Sequence, residues 1–168
     1  GAGLVVGANV RKDHPLVAQR IRQATKKGAQ VFALSSKVYD WAMPVTASVV
    51  AAQDWTQALA DVAAAVAAVK GVQAPLAGQA NAEAQAIAQA LMAGERKAVL
   101  LGNAAAHHAQ AAELLALANW IAEQTGATVG YLTEAANTVG AQWVKAQPQT
   151  GGFNAVQMIA GGLKAAIL

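Results

Sequence analysis

The sequence has 168 residues, 55% of them hydrophobic and 12% charged, with a net charge of +3. That length suits one domain or slightly more, able to bury roughly 70% of its unfolded surface without staples. It contains no cysteine, which excludes disulfides, thiolate nucleophiles and cysteine-held iron–sulfur clusters within these residues.

The first apolar run, residues 4–6, ends at Gly7 and reads as a buried strand. A polar turn follows, with Asp13 or His14 able to cap a helix that Pro15 opens. Val17, Ile21 and Ala24 recur at helical spacing as its inner stripe, while Arg20, Arg22, Lys26 and Lys27 take other positions. Gly28 reads as a left-handed stop. Residues 30–34 read as a second strand, and a short helix between two apolar strands predicts a right-handed parallel crossover. A loop over 35–44 carries Tyr39, Asp40, Trp41 and Met43, and 46–51 has the composition of a short strand.

Asp54 and Gln57 stand at capping-box spacing before a helix reaching Lys70, with Leu59, Val62, Val66 and Val69 as its stripe. Residues 71–80 read as a linker. Asn81 caps a helix over 82–93, and 96–101 is a buried strand. Gly102 and Asn103 turn the chain into a helix over about 108–124, whose inner face is Leu114, Leu117, Ala118 and Ile121. Residues 128–132 read as another strand. An irregular stretch covers 137–152, Asn154 caps a short helix to Ala160, and 164–168 reads as the start of a strand belonging to a following segment. Strands alternating with helices give an α/β class: a Rossmann-like open parallel sheet over 1–163.

In such sheets ligands bind beyond the carboxyl ends of the strands. The loop after the first strand lacks a dinucleotide fingerprint, since only Gly7 stands where one of its glycines belongs. The tip of the second strand, Ser35-Ser36-Lys37, lacks the acid that holds ribose hydroxyls. Serines and a lysine there leave a 2′-phosphate, and hence NADP, as an outside alternative. The adjacent His107 and His108 do not converge on one metal, and His14 is isolated. No serine stands in a G-x-S-x-G elbow. Trp41, Trp55, Trp120 and Trp143 read as packing anchors. Residues 1–40 carry seven of the twelve cations against two acids, but without aromatic interleaving they read as a solvated face rather than a nucleic-acid surface. Without a bilayer-length apolar run or a basic-then-apolar leader, the sequence reads as soluble, with no direct membrane insertion.

Three segments carry a resemblance: Leu4-Val5-Val6-Gly7-Ala8-Asn9-Val10-Arg11-Lys12-Asp13-His14-Pro15-Leu16, then Ala98-Val99-Leu100-Leu101-Gly102-Asn103-Ala104-Ala105, then Ala136-Asn137-Thr138-Val139-Gly140-Ala141. In this order they resemble the G-subunit family of bacterial NADH-quinone oxidoreductase (respiratory complex I). The likeness is to its C-terminal part, a molybdopterin oxidoreductase-like domain. The resemblance implies a scaffold in the peripheral arm, on the cytoplasmic side of the bacterial inner membrane. Its partners would be other domains of the G-subunit and neighbouring subunits, with iron–sulfur clusters and FMN elsewhere in the parent complex. In true molybdopterin enzymes the corresponding domain helps hold a pterin guanine dinucleotide, and that role is the alternative here. Gly7, Asn9, Ser35, Gly102 and Asn103 are then vestigial cofactor-binding candidates, with no catalytic or metal residue. The fragment reading also expects a bare apolar patch around Ile167 and Leu168.

Overall fold

Short β-rich apolar runs with single turn residues at their ends build a parallel sheet when helices connect them. The computed structural model describes residues 1–135, 137–161, 163 and 165. It has two compact units, 1–134 and 135–168.

In the first unit the strands are β1 (Ala2–Val6), β2 (Gln30–Ser35), β3 (Thr46–Val49), β4 (Lys97–Leu101) and β5 (Thr128–Tyr131). They form one parallel sheet in the order β3-β2-β1-β4-β5. The helices are α1 (Val10–Asp13), α2 (Pro15–Thr25), α3 (Trp55–Lys70), α4 (Ala82–Ala93), α5 (Asn103–Ala106) and α6 (Ala111–Thr125). Register aligns Val6 with Leu34 and with Leu101, so the tips of β1, β2 and β4 end level. Side-chain alternation then sorts the faces. Leu4, Val6, Phe32, Leu34, Val99 and Leu101 pack under α3, α4 and α6. Val5 and Ala33 face the other way, with Ala18 of α2 and Trp41 of the loop after β2. Connections running left along the sheet lie on one face and those running right on the other, as right-handed crossovers require. The direction reverses between β1 and β4, the topological switch point.

Several expectations need correction. α2 buries Ala18 and half-buries Val17 and Ile21, but Ala24 is exposed, because α2 faces a stretch of sheet that nothing in this unit covers. Val69 is 58% exposed, since the last turn of α3 overhangs the core. Asp54 makes no capping bond; Gln57 instead donates to Asp61 Oδ1 at 3.0 Å and to Ala77 O at 3.1 Å. Neither Asp13 nor His14 caps α2 through its side chain. The helix expected from 108 begins at Ala111, because α5 forms first and His108 is tied down between the two.

The stretch read as a linker is fastened to α3 by Asp61. Its Oδ1 accepts from Gln79 N at 2.8 Å and its Oδ2 from Asn81 Nδ2 at 3.3 Å. Gly78 sits on α3 so closely that a Cβ there would lie 2.3 Å from Ala60 O. Asp61→Ala is therefore expected to cost about 1–2 kcal/mol, through a peptide N–H and two amide groups losing an ionised acceptor. Limited proteolysis should show new cleavage within 71–80, and unchanged cleavage there would contradict the assignment.

The second unit holds α7 (Thr138–Trp143) within the stretch read as irregular, and α8 (Ala155–Ala160). Asn154 and Gln157 close a capping box on α8: Asn154 Oδ1 accepts from Gln157 N and Gln157 Oε1 from Asn154 N, each at 2.9 Å. Trp143 is 83% exposed and is not a packing anchor among the described residues, whereas Trp41 and Trp55 are buried and Trp120 packs against the main core. Of the strand expected over 164–168 only Ala165 is described, and the patch at Ile167 and Leu168 lies outside the described residues. No described helix is long and apolar enough to cross a membrane.

Candidate functional site

Level strand tips place the loops after β1, β2 and β4 along one crest. Gly7 follows β1 with φ +64, a left-handed conformation that costs any side-chain-bearing residue about 1 kcal/mol or more. A Cβ at Gly7 would meet Ala105 N at 2.7 Å and Trp55 Cζ3 at 2.8 Å. Gly102, at the tip of β4, is packed as tightly from the other side: its Cβ would lie 2.3 Å from Ala8 Cβ and 2.5 Å from Gly7 O. The two loops are knitted by backbone bonds. Gly102 N donates to Val6 O at 2.7 Å and Ala104 N to Gly7 O at 3.1 Å, while Gly7 N reaches Leu34 O at 2.9 Å.

Of the five candidates, the crest thus brings Gly7 and Gly102 together, with Asn103 beside them. Asn9 stands at the start of α1, where its N–H donates to Asp13 Oδ2 at 3.3 Å. A carboxylate of the chain itself occupies the position an anionic ligand would take. Ser35 is buried and its hydroxyl donates to Lys37 O at 2.8 Å, turned into its own loop. Lys37 Nζ sits 5.6 Å from the centroid of the Tyr39 ring rather than free for a 2′-phosphate.

A pterin guanine dinucleotide needs unspent N–H groups and cations around its diphosphate. The amides of Gly7, Asn9, Gly102 and Ala104 are already bonded within the chain. Arg11 is paired with Asp40, to which it also donates a hydrogen bond. At these four amides and at Arg11 the crest offers the group nothing unspent. Among the described residues, two crest atoms are buried without a hydrogen-bond partner: Asn103 Oδ1 and Trp55 Nε1.

Other residues at the crest were not legible from spacing. Trp55, at the start of α3, lies beneath Gly7 and stacks on His108 with ring centroids 5.7 Å apart. His108 Nε2 lies 2.9 Å from Ala52 O, and its Nδ1 accepts from Gln110 N at 3.0 Å, so the neutral Nε2–H tautomer satisfies both. His107 Nε2 lies 3.7 Å from Glu134 Oε1. No group of three His, Asp or Glu side chains is placed to hold a metal among the described residues.

The Asp40 carboxyl is held below its ordinary range, first by the Ala42 amide and then by Arg11. Ala42 has φ +53, and its N–H donates to Asp40 Oδ1 at 3.1 Å, so the bond holds a strained turn. A depressed carboxyl stabilises the fold above its unfolded pKa and loses that contribution as pH falls through its folded pKa. The stability gap between the protein and Asp40→Asn should therefore narrow on acidification from neutral pH into the carboxylate range. Denaturant midpoints measured across that range check this; a constant gap would contradict it.

No curated protein matches the chain. The family model for molybdopterin oxidoreductase matches residues 2–168. With a doubly wound parallel sheet in its first unit and a match spanning all but the first residue, the chain belongs to the molybdopterin oxidoreductase family.

Proposed function

We propose that this chain is a non-catalytic scaffold domain of the G-subunit of a proton-pumping NADH:quinone oxidoreductase. In that role it packs against other domains of the same polypeptide and neighbouring subunits of the peripheral arm, on the cytoplasmic side of a bacterial inner membrane. FMN and iron–sulfur clusters belong to other parts of the complex. The segments at residues 4–16, 98–105 and 136–141 support the subunit, and membership of an oxidoreductase family supports the broader setting. The observation that carries the scaffold reading is the closed crest: Gly102 pressed on Ala8 and Gly7, with Asp13 at the loop amide.

The test is thermal melting of the protein with NADH, NADPH, GDP or GTP. A ligand at a hundred times its Kd stabilises by about 2.7 kcal/mol, which in a domain of this size raises Tm by about 5–10 °C. The expected shift is under about 1 °C for each nucleotide; a shift of several degrees overturns the reading. The second reading, a cofactor-holding domain of an active molybdopterin oxidoreductase, is favoured by the unpartnered Asn103 Oδ1. It predicts a guanine-nucleotide shift that Asn103→Ala removes.

A further inference from the structure

A sizeable cleft in the first unit lies away from the crest. It measures about 460 Å³ and lies on the sheet face shared with α2, reaching the amino ends of β1, β2 and β4. Its floor includes the small residues Gly3 and Ala98, beside Leu100. In a doubly wound sheet helices cover both faces, because strands buried on both sides leave apolar side chains on each. Here α3, α4 and α6 share one face, and on the other α2 leaves Ala98 and Leu100 only half-buried. Within the first unit no described helix lies beside α2 on that face.

The rim of this cleft is cationic. Arg20 stands on α2, and Lys27 lies in the turn two residues past its end at Thr25. The small, exposed Ala24 lies between them, and Arg96 guards the entrance to β4. No acidic residue lines the cleft. None of the three cations is in an ion pair within the described residues. Residues 135–168 contain no Asp or Glu, so that segment brings no carboxylate to meet them.

We infer that this cleft docks an amphipathic α-helix of a partner protein, apolar on one side and carrying carboxylates at the border of that side that meet Arg20 and Lys27. The apolar side covers Gly3, Ala98 and Leu100, completing the second layer of the sheet. Ala24, lacking a side chain beyond Cβ, lets the two helices approach closely. Charge complementarity sets the direction in which the helix lies and rejects basic helices. The proposal stands on the cleft and not on the closed crest, so nucleotide binding at the crest leaves it untouched.

The test uses the full chain and two fluorescein-labelled synthetic helices of about four turns, both with a leucine face. One carries Glu along the border of that face; the other carries Lys at the same positions. Anisotropy should show the Glu helix binding at least about tenfold more tightly, and Arg20→Glu with Lys27→Glu should invert that order. Both substitutions are at exposed positions, so folding persists, and amide resonances of Gly3, Ala24 and Ala98 should shift on binding. Failure of the Glu helix to bind overturns the proposal, as does equal affinity for both helices or an order unmoved by the double substitution. Competition by dodecanoate but not by unlabelled Glu helix makes the cleft a small-amphiphile site. Self-association abolished by the double substitution assigns it to a second copy. Either result also overturns the proposal.

Discussion

Gly102→Ala is expected to destabilise the fold by about 3 kcal/mol although its backbone is unstrained, at φ −88. The new Cβ would lie 2.3 Å from Ala8 Cβ and 2.5 Å from Gly7 O. Neither is the far end of a flexible side chain, so relief requires the crest loops to part. Parting them breaks the Gly102 N to Val6 O and Ala104 N to Gly7 O bonds. Two other glycines separate the causes. Gly28 has φ +86 and nothing within 4 Å of its Cβ position, so Gly28→Ala isolates the dihedral cost of about 1 kcal/mol. Gly7 combines φ +64 with contacts at 2.7 and 2.8 Å, so Gly7→Ala should cost the most, about 4 kcal/mol. Denaturant unfolding should rank the three Gly28, Gly102, Gly7. A Gly102→Ala cost below about 1 kcal/mol would mean that the crest yields, and the case for a closed crest would fall with it.

The crest was half legible from sequence, for a physical reason. The unbroken apolar runs Leu4-Val5-Val6 and Val99-Leu100-Leu101 mark buried strands, and the residues ending each run must lie at the tips. Gly7, Ser35 and Gly102 could therefore be located without coordinates. What those tips touch depends on chain-distant packing that no local period encodes. Trp55 reaches Gly7 from the far end of the β3 crossover. Asp40 meets Arg11 across 29 positions, and Gln79 meets Asp61 across 18. The family likeness runs through two of these tips, Gly7 and Gly102, yet it does not reveal that Asp13 answers the Asn9 amide. The stripe Val17, Ile21, Ala24 is correct as an apolar pattern and wrong as a buried one at Ala24. A period reports which residues seek cover, not whether the chain supplies it.

Trp55 gives the second large effect. It is 2% exposed, stacked on His108, and its ring fills the space under Gly7. Trp55→Ala should cost about 3–5 kcal/mol, because the close-packed crest above cannot collapse into the cavity. Trp55→Phe separates ring from donor. Among the described residues Trp55 Nε1 is buried without a partner, so removing it recovers a desolvation penalty of about 1–3 kcal/mol. Loss of the second ring offsets that gain, and the net change should stay within about 1 kcal/mol. Coupling to Gly7 is directly measurable. Trp55→Ala removes the obstacle at 2.8 Å but leaves Ala105 N at 2.7 Å and the left-handed φ. In a double-mutant cycle Gly7→Ala should therefore cost less in the Trp55→Ala background, by about 1 kcal/mol, but should not become neutral. Full additivity would place the indole away from the crest glycine. Complete rescue would assign the whole cost of Gly7→Ala to the ring and none to the backbone, against the geometry of the turn.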